Sequence, residues 1–138
     1  MPIPASTLSV NKIATELGFR DDYHTSLVAI LGNPKVAAAL RCGPVSVPDH
    51  KLVPEVRIIL NLGRSGVVDR SYALDLFDHH HQPRLYNSTQ HGVELIPIGL
   101  AVSRFALTSP NDSPLVQVPL PGFSKVAVTQ YYSAYTRC

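Results

Sequence analysis

Charge is scarce in this chain. Lys, Arg, Asp and Glu make up 16% of its 138 residues, against about 25% in an ordinary soluble domain. The formal net charge is only +2, and basic residues form no run, which excludes a strong electrostatic footprint for nucleic acid. No apolar stretch is long enough to cross a bilayer; the longest, residues 95–102, is broken by Pro97 and Gly99. Phosphate-cradling glycine loops are absent, since Gly63-Arg64-Ser65-Gly66 is too short for one. Zinc-protease spacing of the H-E-x-x-H type is absent too. The two cysteines, Cys42 and Cys138, are far apart in sequence, and two free thiols in a reducing compartment are expected. Met1-Pro2-Ile3-Pro4 has no basic segment leading into an apolar one, so no secretory leader and a cytoplasmic location are expected.

What is present is an ordinary core-forming composition, 45% hydrophobic, with an excess of proline at 12 residues. That length and apolar content suit one domain with a sizeable core. Proline at this density breaks strands and stiffens loops.

Apolar periodicity divides the chain into two parts. After a potential cap at Ser9, Val10, Ile13, Ala14 and Leu17 recur at helical spacing, and Gly18 reads as a stop. Asp21 or Asp22 offers a second cap before Tyr23, Leu27, Ile30 and Leu31, with Gly32 ending that helix. Asn33-Pro34 starts a third, with Val36 and Leu40 facing inward. From residue 56 the period reads as two: Val56, Ile58, Leu60 and Leu62, a turn at 63–66, then Val68, Tyr72, Leu74 and Leu76. This predicts an antiparallel hairpin over 56–77. Residues 78–92 read as a polar loop, 93–107 as an apolar block at a sheet edge or bulge, and 115–120 and 123–135 as further strands.

Three constellations bear on function. Ile13-Ala14-Thr15-Glu16-Leu17-Gly18-Phe19, followed by Asp21 and His24, resembles the helix-turn-helix of AraC-type regulators over residues 9–34. The resemblance implies a DNA-reading helix. Regulators of that family pair two such units, whereas one is present here, and Asp21 and Asp22 would repel phosphate. The dispersed Arg57, Arg64, Arg70 and Arg84 are the remaining nucleic-acid candidates, and any affinity is expected to be weak and electrostatic. Asp78-His79-His80-His81 with His91 makes a weak metal candidate set, His79, His81 and His91, because alternate residues of an extended chain share a face. A solvated loop accounts for the same residues, so no metal or other cofactor is expected. The tyrosine-rich tail, Tyr131, Tyr132 and Tyr135, together with Ile59, supplies the amphipathic side chains favoured at interfaces.

The expected architecture is α+β: one domain over 1–138, with short helices over about 9–42 capping a mostly antiparallel sheet of five or six strands over about 52–136. The expected function is a non-enzymatic, self-associating structural or interaction protein, of the kind found among small viral structural or accessory proteins. A homodimer is the first expectation, and nucleic-acid binding is the alternative.

Overall fold

A computed structural model of the chain describes residues 5–70, 90–103 and 117–138, with side chains from residue 10 onward. The class is α+β, built from helices on a five-stranded mixed sheet.

The N-terminal region departs from three short helices. One helix, α1, runs from Ala5 to Leu31 without interruption. Gly18 does not stop it, because a glycine ends a helix by adopting positive φ, and Gly18 does not. Asp21 and Asp22 are exposed mid-helix residues rather than caps. No turn separates two helices here, so the helix-turn-helix resemblance does not extend to the fold. The third expected helix forms as read: α2, Pro34–Ala39, is capped by Asn33, whose side chain accepts from the Lys35 backbone N–H at 2.9 Å.

Over the described part of the expected 56–77 hairpin, residues 56–70, the chain forms a crossover instead, and residues 71–77, with Tyr72, Leu74 and Leu76, lie outside the described residues. Strand β1, Val45–Val47, leads through a 3-10 turn at His50–Leu52 into helix α3, Val53–Leu60. The chain then returns through β2, Val67–Asp69, which pairs parallel to β1. Parallel neighbours need such a crossover and cannot be joined by a tight turn. Helix wins over strand at 53–60 for three local reasons. Pro54 sits in the first turn, where its missing N–H costs nothing. Asn61 closes the helix in the left-handed region at φ 53°, and Leu62 N–H reaches back to the Arg57 carbonyl at 3.0 Å. Val53, Val56, Ile59 and Leu60 also recur at helical spacing. Val56 is buried and Ile59 is partly buried against the core, whereas Ile58 is 80% exposed.

Strand β3, Gly92–Pro97, is central rather than at an edge. It pairs parallel with β1 and antiparallel with β5, Tyr132–Arg137, which in turn pairs with the outer strand β4, Ser124–Val128. The order is β2-β1-β3-β5-β4, so the sheet is mixed rather than mostly antiparallel. Gly43 and Gly92 allow β1 and β3 to meet: a Cβ on Gly43 would lie 2.4 Å from the His91 carbonyl oxygen, and one on Gly92 the same distance from that of Pro44. Gly92 also holds φ at 110°.

The core lies between the helices and one face of the sheet. Val45, Val47, Val67, Val93, Leu95, Tyr132 and Ala134 meet Tyr23, Leu27, Ile30, Leu31, Val36 and Val56 there. Ser26 fixes α1 to the β4–β5 turn, with its Oγ 2.7 Å from Thr129 Oγ1 and accepting from Tyr131 N–H at 3.1 Å. Cys42 and Cys138 are joined as a disulfide, correcting the expectation of free thiols, so that the end of β5 is tied to the segment after α2.

Candidate functional site

Three features of the described residues carry chemistry or exposed apolar surface. The first is a polar row across the sheet face opposite the helices. Register places Val68, Ser46, Glu94, Tyr135 and Lys125 side by side across five strands. Ser46 and Glu94 are fully buried, and at the outer end the Lys125 ammonium lies 5.7 Å from the Tyr135 ring centroid. Arg70, just past β2, is buried beside this row. Its Nη1 donates to the Ser46 carbonyl at 2.7 Å and to Ser46 Oγ at 3.1 Å, and its Nη2 donates to the Leu95 carbonyl.

The reason for an arginine at this point lies in the ladder. Val93 N–H donates to the Pro44 carbonyl at 3.1 Å. Parallel pairing advances two residues per step, so the donor due at the Leu95 carbonyl belongs to residue 48. Pro48 has no N–H, and the Arg70 guanidinium donates there instead, carrying the β1–β3 junction past the proline. Burial lowers the Arg70 pKa to about 10, with Glu94 and Asp69 pulling the other way, so the side chain stays cationic at neutral pH. Burial likewise raises the Glu94 carboxyl, opposed by Arg70 and by the Leu120 N–H, which approaches both carboxylate oxygens at 3.2 and 3.3 Å. These contacts engage Arg70 and Glu94 with backbone, as expected of structural groups.

The second feature lies where α1 meets α3. His24 Nδ1 and Glu55 Oε1 form a partly exposed pair linking the two helices. Beneath it, Phe19, Tyr23, Tyr131 and Tyr132 form an aromatic cluster with ring centroids 5.4 to 5.9 Å apart. Burial pushes the Tyr23 and Tyr132 hydroxyls well above the usual tyrosine range.

The third feature is the N-terminal half of α1. Val10, Ile13 and Leu17 are 62%, 58% and 58% exposed, and they share one face. Between Val10 and Gly18 no side chain is buried and Glu16 is half-buried; Phe19 is likewise half-buried, and Tyr23 is the first buried residue. A shallow hollow beside α3, lined by Pro54, Arg57, Ile58, Asn61 and Leu62, is a lesser exposed apolar region.

The structure disperses the residues singled out from sequence. Tyr131 and Tyr132 are buried in the core rather than on a surface, and Ile59 is half-buried against it. Tyr135 is half-buried under Lys125. Among the arginines, Arg70 is buried, Arg57 Nε donates to the Leu62 carbonyl at 3.3 Å, and Arg64 is exposed. His91 is exposed, and the described residues contain no cluster of three or more metal-ligating groups. His79, His81 and Arg84 lie outside the described residues. No described helix is long and apolar enough to cross a membrane. Sequence reading missed Glu94, Ser46 and the exposure of Ile13 and Leu17. The available signal was a lone carboxylate inside the apolar run Val93-Glu94-Leu95-Ile96. No known protein family, curated protein or solved structure matches the chain.

Proposed function

We propose that this protein is a non-enzymatic interaction protein that self-associates. The observation carrying this reading is the exposed apolar face of α1 formed by Val10, Ile13 and Leu17. Fully burying such a side chain is worth about 1.5–3 kcal/mol, so covering the exposed fraction gives about 1–2 kcal/mol each. Six side chains across a pair of copies gain about 6–12 kcal/mol gross, of the same order as the about 4–15 kcal/mol lost on association. Weak, concentration-dependent pairing follows. The backbone partners of Arg70 and Glu94 support a structural role over a catalytic one. The Cys42–Cys138 disulfide supports an oxidising setting rather than the cytoplasm. Light scattering at high micromolar concentration, read together with the absorbance ratio for co-purified nucleic acid, tests the reading. A nucleic-acid-free mass above that of the monomer is expected; a monomer would overturn it, and a salt-sensitive nucleic-acid complex would favour the alternative.

A further inference from the structure

Resting on that self-association reading, we propose that the partner of the α1 face is a second copy of the same face, docked antiparallel so that Ile13 of each copy packs against Leu17 of the other. Val10, Ile13 and Leu17 follow the three-then-four spacing of a two-helix seam. The seam ends where the packed body begins, at Phe19 and Tyr23. A parallel pair would bring both bodies to the same end of the seam, while an antiparallel pair sets them at opposite ends.

Charge favours the same choice. Lys12, Glu16 and Arg20 follow one another at four-residue steps, with Arg20 Nε 3.8 Å from Glu16 Oε1. Arg20 stands three residues after Leu17, at the next position of the seam, so a parallel pair in register sets Arg20 against Arg20. The two-fold that exchanges Ile13 with Leu17 instead sets Lys12 level with Gly18, Glu16 with Ala14 and Arg20 with Val10. No like charges lie level with one another, the helix dipoles oppose, and the two-fold contact closes on itself.

Both native cysteines are in the disulfide, so a cysteine introduced on α1 is the only free thiol. Ile13→Cys and Leu17→Cys chains, each checked for native circular dichroism, are mixed and oxidised mildly beside each variant alone. The proposal expects the mixed 13–17 link to exceed either like-with-like link severalfold. Preferential 13–13 and 17–17 links would overturn it in favour of a parallel pair. A native protein of dimer mass that gives no link at either position would overturn this pairing while leaving self-association standing, and a native monomer at high micromolar concentration would overturn both.

Discussion

The two halves of α1 are built from similar residues and have different fates. Val10, Ile13 and Leu17 in the first half are as apolar as Tyr23, Leu27, Ile30 and Leu31 in the second. The second set is buried against the sheet, whereas the first lies on another face of the helix with more than half of each side chain exposed. Helical spacing therefore identifies helix without identifying what covers it. On the proposed reading, the exposed face of Val10, Ile13 and Leu17 is where a partner docks.

The largest expected effects lie where the body is closed. Arg70→Ala removes donors from the Ser46 and Leu95 carbonyls and leaves Glu94 without its counter-charge. A loss of about 3–5 kcal/mol is expected from chemical denaturation; a loss below about 1 kcal/mol would show that the β1–β3 junction does not depend on the guanidinium. Leu27→Ala, at a site with no exposed surface, should cost about 2–5 kcal/mol. Leu17→Ala should change monomer stability by no more than about 0.5 kcal/mol. Equal costs for the two leucines would erase the contrast between the halves of α1.

Reduction of the disulfide should cost about 2–5 kcal/mol, because it releases a closure spanning 96 positions. Comparing denaturation midpoints with and without a thiol reductant measures it.

A smaller effect comes from Glu94. Its pKa is raised by burial, so the folded state favours the protonated carboxyl. That stabilisation is fully present below the unfolded-state value and is lost as pH rises through the folded-state value. Denaturation midpoints across about pH 4–8 should carry this downward component, and Glu94→Gln should remove it. An unchanged pH profile in the variant would mean that Glu94 titrates as an ordinary carboxylate.

The legible parts of the fold were those governed by local chemistry. Asn33-Pro34 marks a helix start because a capping side chain precedes a residue that needs no N–H donor. Gly18 misleads because nothing in the following residues demands a left-handed turn. At 53–60 a period of two and a period of 3.6 share Val56 and Leu60, so alternation alone cannot separate strand from helix; Pro54 and Asn61 decide it. The polar row was hidden for a different reason. Ser46, Arg70 and Glu94 come from separate stretches of sequence, and only strand register makes them neighbours. Tyr131 and Tyr132 suggest an interface by residue type, but packing against Phe19 and Tyr23 places them inside. The disulfide had no spacing signal, since closure of the sheet alone brings Cys42 and Cys138 within 5.3 Å between Cα atoms.

Sedimentation of the native protein beside Leu17→Asp, over a dilution series from high micromolar downward, tests whether the exposed Val10, Ile13 and Leu17 face of α1 carries the proposed self-association. The native protein should shift from dimer to monomer on dilution. Leu17→Asp should be monomeric throughout with an unchanged circular dichroism spectrum. A native protein that is monomeric at every concentration, or a Leu17→Asp variant that dimerises as strongly as the native chain, would contradict the account.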